Sequence, residues 1–201
     1  MMKKCYFIPF AVFVTCLIVS GLTISGCQKP EKQTAEEPKQ EAAPVQQASE
    51  TGPSLEVKSH IKQGLVYVGD AKNARTGAIF EENIDNAIKE FSLAIQKDPN
   101  YADAYSNRAV AYMQQKKFNK AQEDLKTAKE LAPDNPSVRY NYACLYSLKG
   151  DVDLALDEID AALTQGFNDY DALRRDSDLN NVRKHPEFRK ILEKHKVFIM
   201  K

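Results

Sequence analysis

Hydrophobic and polar positions divide the chain into three stretches. From Cys5 to Ile24 no residue is charged over 20 positions, a length that suits a transmembrane helix or the apolar core of a secretion signal. Residues 28–53 invert this, with Pro30, Pro38, Pro44 and Pro53, five Glu, three Lys and one Val as the only large aliphatic residue. Such a stretch cannot bury enough apolar surface to offset the entropy of ordering, so a disordered leash is expected. Its mean reach is roughly 28 Å, and about 90 Å fully extended. From about residue 55 the apolar residues recur at helical spacing, as in Phe91, Ala94, Ile95 and again Leu125, Ala128, Leu131.

The helical pattern also repeats. Pro99 and Pro133 stand 34 residues apart, each just after a helix-periodic segment, where a residue without an amide donor ends a helix. The same spacing aligns Ile84, Phe118 and Val152; Ala87, Ala121 and Ala155; Phe91, Leu125 and Ile159; and Ala94, Ala128 and Ala162. In the preceding helix of each unit Gly64, Ala109 and Ala143 hold a small-residue position, followed three residues later by Tyr67, Tyr112 and Tyr146. Small residues let antiparallel helix axes approach, and the large ones fill the holes beside them. Gly64 to Ala109 is 45 residues, so about 11 extra residues are expected between Gly69 and Phe80.

Over roughly residues 55–165 these columns resemble the tetratricopeptide repeat family. The resemblance implies an all-α, right-handed helix-turn-helix solenoid of about three repeats. Helices are expected near 55–69, 83–97, 101–115, 118–131, 135–149 and 152–165, the last capped by Asp151. Residues 166–201 depart from the pattern. Phe167 follows Gly166 where a third proline would stand, and Asp176-Ser177-Asp178-Leu179 leads to His185-Pro186-Glu187-Phe188 and an apolar face of Ile191, Leu192 and Val197. This is similar to the closing unit after the last repeat of many bacterial tetratricopeptide proteins. It implies a C-terminal capping helix, begun by Pro186, over the apolar end of the solenoid.

Lys3 and Lys4 precede the uncharged stretch, and Leu22-Thr23-Ile24-Ser25-Gly26-Cys27 ends it. That ending resembles the lipobox of bacterial lipoproteins: an aliphatic residue, small residues that lie extended in a peptidase cleft, and a cysteine whose thiol takes diacylglycerol. The resemblance implies a signal peptide over 1–26, lipidation at Cys27 and a linker over 27–54, an uncleaved membrane anchor being the other outcome. Either places the remainder outside the cytoplasmic membrane. Gln28 follows Cys27, whereas Asp there marks inner-membrane retention in Gram-negative lipoproteins, so in a Gram-negative cell the resemblance implies the periplasmic side of the outer membrane. Two or more acyl chains hold stably where one is marginal. With the signal removed and Cys27 acylated, Cys144 is the one free thiol, and no internal disulfide can form.

Composition narrows the chemistry. The chain has 28 Lys plus Arg against 28 Asp plus Glu. It shows none of the basic excess of a nucleic-acid binder, so no nucleic acid is expected as a partner. His60, His185 and His195 share no metal-ligand spacing with one another or with Cys, and the chain has no P-loop, Rossmann glycine pattern or nucleophile elbow. Asp157, Glu158 and Asp160 are expected as solvated charge on an exposed helix face, and Cys144 as a packed thiol. No metal, cofactor or small-molecule substrate is expected. The chain is therefore not read as an enzyme, the alternative being an envelope enzyme with a site built from scattered residues.

Binding has more support. In the repeat family the first helix of each unit lines a concave groove. The resemblance thus places Lys58, Ile61, Lys62 and Leu65, then Asp103, Ser106, Asn107 and Val110, then Ser137, Tyr140, Asn141 and Cys144 on the inner wall. Asn107 and Asn141, 34 residues apart, are expected to stack and offer donor and acceptor to the main chain of an extended peptide, although asparagine is also common at this repeat position without ligand. Tyr140 is expected as an aromatic anchor in the groove. Ser137 and Asn141 stand where a chaperone-type carboxylate clamp would need basic residues. The implied function is a membrane-anchored adaptor for proteins or extended peptides in assembly, secretion or peptidoglycan-remodelling complexes.

Overall fold

The structure is a computed structural model that describes residues 52–197. The expected signal, Cys27 and nearly all of the linker lie outside the described residues. Six helices form three antiparallel hairpins: α1 (Leu55–Lys72) on α2 (Gly77–Lys97), α3 (Ala102–Gln114) on α4 (Phe118–Leu131), and α5 (Pro136–Lys149) on α6 (Val152–Thr164). A closing unit follows: α7 (Tyr170–Arg175), a 3-10 turn (Ser177–Leu179), α8 (Asn180–Arg183) and α9 (Pro186–Lys194). There is no strand among the described residues. The fold is all-α, a solenoid of helical hairpins, as the 34-residue period implies.

The helix ends follow local chemistry. Ser54 Oγ accepts from Val57 N at 3.2 Å, Thr76 Oγ1 from Ile79 N at 3.3 Å, and Asn135 Oδ1 from Ser137 N at 2.9 Å, each satisfying an orphan amide of the first turn. Pro136 and Pro186 occupy the first turns of α5 and α9. Asp151 precedes α6 without capping it; its carboxylate lies 3.7 Å from Lys149 Nζ. The turn before α6 is made instead by Gly150, at φ 86°, where a residue without Cβ is free of strain.

The extra residues of the first unit do not form an inserted loop. They lengthen both helices, to 18 residues in α1 and 21 in α2 against 13 and 14 in the second hairpin. Ala71, buried against Ile84 and Phe80, continues the seam into the extension, so the added turns have a core of their own.

Ala87, Ala121 and Ala155, Phe91, Leu125 and Ile159, and Ala94, Ala128 and Ala162 are all fully buried. Ile84 is buried, while Phe118 and Val152 in its column are half-buried. The small and large positions are matched in size. A Cβ on Gly64 would lie 2.4 Å from Phe91 Cε1, whereas later units place Ala109 and Ala143 in one core with Leu125 and Ile159. The first unit trades the small methyl for a larger ring opposite it. Gly64→Ala is expected to destabilise by about 1–3 kcal/mol through overpacking. Adding Phe91→Leu, which restores the Ala/Leu pairing of the second unit, should recover part of that loss. Additive effects in a double-mutant cycle by denaturant unfolding would contradict the pairing.

Candidate functional site

The first helices α1, α3 and α5 lie side by side, and the 34-residue period assigns equivalent stripes to them: Ile61, Leu65 and Val68; Ser106, Val110 and Met113; Tyr140, Cys144 and Ser147. The α1 stripe is the most exposed of the three, while Ser106 and Met113 are already buried on α3. Leu65 is 50% exposed, Val110 half-buried, and Cys144 2% exposed. The closing unit covers the α5 end of the face. Tyr140 OH donates to Asp176 Oδ2 at 2.8 Å, and Asn181 Nδ2 donates to the Ser147 carbonyl at 2.8 Å. The Cys144 Sγ lies 4.0 Å from the same Asp176 oxygen. The third unit's share of the face is thus occupied by the chain itself.

Several expectations about this wall change. Tyr140 is no groove anchor: it is 7% exposed, with its ring stacked on Phe167 at 4.4 Å between centroids and 6° between planes. Burial is the main cause of its phenol being pushed well up, with the charges of Cys144 and Asp176 adding to it. Asn141 gives its amide to Ser106 Oγ at 2.8 Å, so that donor ties α5 to α3 rather than forming a ladder with Asn107. Ser137 is exposed, and Asn107 is half-buried on α3.

Cys144 is a packed thiol. Burial first, then Asp176 and Asp178, hold its pKa well above the usual thiol range, the opposite of what a nucleophile needs. Burial and the Asp176 charge likewise push Asp178 up, while Lys72 at the end of α1 favours its ionised form.

Of Asp157, Glu158 and Asp160 on α6, two are not merely solvated. Glu158 pairs with Arg139 at 3.1 Å and Lys129 at 3.3 Å, joining α6 to α5 and α4. Asp160 takes Lys194 at 2.7 Å and His195 at 2.7 Å, and these bonds hold its carboxyl below the usual range. Asp157 alone of the three is exposed. His60 contacts Glu90 at 2.7 Å, and His185 Nδ1 accepts from Glu187 N at 3.3 Å. Among the described residues no group of three or more His, Cys, Asp or Glu could hold a metal ion, and no helix is long and apolar enough to cross a membrane.

Sequence reasoning missed Asp176 and Asn181. The signal was the period itself, since the Asn141 to Ser106 bond spans 35 residues, Asp176 to Tyr140 spans 36 and Asn181 to Ser147 spans 34. The closing unit bonds to the third repeat as that repeat bonds to the second.

Two tetratricopeptide repeat family profiles match, over residues 102–135 and 81–116. Residues 81–135 thus carry tetratricopeptide repeats. The chain is similar to a solved tetratricopeptide protein of Thermus thermophilus, with a TM-score of 0.55 and 27% identity over 61% of this chain and 63% of that one. It also resembles the TPR2B domain of yeast Sti1 in its pHsp70 complex, with a TM-score of 0.49 and 22% identity over 71% of this chain and 98% of that one. Among curated proteins, a chloroplastic protein of Arabidopsis thaliana is 37% identical over 62 residues, 30% of this chain and 18% of that protein. The chain thus spans under a fifth of that curated relative and under two thirds of the Thermus protein.

Proposed function

We propose that the chain is a non-enzymatic adaptor of the bacterial cell envelope, lipid-anchored at Cys27, that holds an extended segment of a partner protein on the open part of its first-helix face. The observation that carries the binding reading is the aliphatic stripe left open at the α1 end of that face. A packed solenoid has buried every equivalent residue on α5, yet leaves Leu65 half exposed on α1 beside the half-buried Ile61, Val68 and Val110. Exposed Lys58 and Lys62 flank the apolar stripe on α1. Asn107 and Val110 remain in the proposed binding set, and Tyr140 and Asn141 leave it. The lipobox-like ending at Cys27 and the Pro-rich stretch after it support the anchor and leash, and Gln28 supports the outer membrane.

The experiment is photo-crosslinking in cells. A photoreactive residue at Leu65 or Val110 should capture a discrete partner band, and one at Glu123, exposed on α4, should not. Equal capture from Glu123 would remove the first-helix face as the site. In parallel, Cys27→Ser should accumulate as unprocessed precursor without lipid label; normal mature lipoprotein from that variant would refute the anchor.

A further inference from the structure

We propose that the outer side of α1 is a self-association surface, on which a second copy of this chain docks its own α1 antiparallel about a two-fold axis beside Val66. This surface is separate from the first-helix face and does not depend on the reading given for it.

The two ends of the solenoid are finished differently. The closing unit covers the third hairpin, whereas among the described residues nothing covers the outer side of the first. A terminal unit of a solenoid is expected to turn a polar side outward. Here Leu55 is 86% exposed, and Val66 and Ile79 are each close to half exposed. Val57, Gly64 and Ala71 form the buried side of α1, and at about 100° per residue Val66 points away from them. Leu65, the groove residue, is turned by about 100° from Val66.

The stripe on that outer side is palindromic. Lys62 and Asp70 stand four residues before and after Val66, and Ser59 and Asn73 seven before and after. Leu55 stands eleven before it, and eleven after it α2 begins at Gly77. All six of Leu55, Ser59, Lys62, Val66, Asp70 and Asn73 are exposed. An antiparallel two-fold is isologous, so it pairs residues at equal distances on either side of its centre. Centred on Val66, it sets the two Val66 side chains together, each Lys62 level with Asp70 of the other copy, and each Ser59 level with Asn73. Leu55 comes to the level of the other copy's turn into α2, where Ile79 is exposed. Helices pack with their axes about 8–10 Å apart, close enough for side chains at one level to meet.

The charges favour this occupant and this direction. The ion pairs of α1 are those of His60 with Glu90 and of Glu56 with Lys97; Lys62 and Asp70 enter none among the described residues. The antiparallel two-fold matches both at once, whereas a parallel pairing in register would set Lys62 on Lys62 and Asp70 on Asp70, at a cost. One helix from each copy makes an interface at the small end of the specific range, so association is weak and concentration-dependent.

The test is disulfide crosslinking of the full chain in cells. Val66→Cys, beside the two-fold axis, should give a linked dimer on mild oxidation, above the level of the unsubstituted chain. Glu123→Cys, exposed on α4, should not. In the Val66→Cys background, Lys62→Glu or Asp70→Lys alone sets like charges together at both contacts and should lower the dimer yield roughly five- to tenfold, with the melting transition retained. Co-expressed under different tags, the two charge variants should restore a heterodimer, because each contact again joins opposite charges. A Val66→Cys yield no higher than that of Glu123→Cys, a dimer indifferent to both charge reversals, or failure of the two variants to pair would each overturn the proposal.

Discussion

Tyr140→Ala is expected to cost about 3 kcal/mol or more of stability, in the range found for truncating buried aromatic side chains. Three losses coincide at this residue. The ring is nearly fully buried, its stacking partner Phe167 is left with one bare face, and the Asp176 carboxylate loses the phenol proton it accepts. A hydrogen bond to a charged group contributes about 1.5–3 kcal/mol, so Tyr140→Phe should show that part alone. Because the same contacts seat the closing unit over Cys144, Tyr140→Ala should also raise the rate at which a thiol reagent labels Cys144, followed by peptide mass spectrometry. An unchanged unfolding midpoint together with an unreactive Cys144 would return Tyr140 to the exposed wall and reopen the third unit's share of the groove.

The error over Tyr140 shows where the sequence stops being informative. Ala87, Ala121 and Ala155 were legible because their role is set within one hairpin, by the approach of two helices adjacent in sequence. The same holds for Phe91, Leu125 and Ile159. Tyr140 lies on the opposite side of its helix, where the environment depends on whatever comes next in the solenoid. Had a fourth full repeat followed, a residue of its first helix would have met that stripe. Here an irregular segment does so, and its short elements leave only a weak periodic trace. The conformation of the extra residues between Gly69 and Phe80 is open in the sequence for a related reason. An insertion that keeps helical spacing, with Ala71 aimed at Ile84, prolongs a hairpin as easily as it loops out, and counting residues cannot distinguish the two. The acidic residues of α6 failed differently: Glu158 and Asp160 look solvated on their own helix, and only the neighbours Arg139, Lys129, Lys194 and His195 show otherwise.

A comparable loss is expected from Asp124→Ala, at a site that no column of the repeat marks. Asp124 is 6% exposed on α4 and receives both Arg108 Nε at 2.8 Å and Nη2 at 2.7 Å, a forked pair. Arg108 also donates from Nη1 to Ser92 Oγ at 3.0 Å, which in turn donates to the Ile88 carbonyl. Its guanidinium lies 5.8 Å from the Tyr105 ring centroid and 5.9 Å from that of Tyr112. One side chain on α3 thereby joins α2 to α4, across the boundary between the first and second units. Removing only the carboxylate leaves a guanidinium between two rings with its fork unmatched, and breaking a buried pair in this way costs about 3–5 kcal/mol. Replacing both partners, as Arg108→Met with Asp124→Leu, removes the stranded charge and the desolvation it carries, so the double variant should be clearly more stable than Asp124→Ala. Urea unfolding of the three proteins decides the matter. If Asp124→Ala loses less than about 1 kcal/mol, the pair behaves as a surface ion pair and the joint between the first two units must be ascribed to their apolar packing alone.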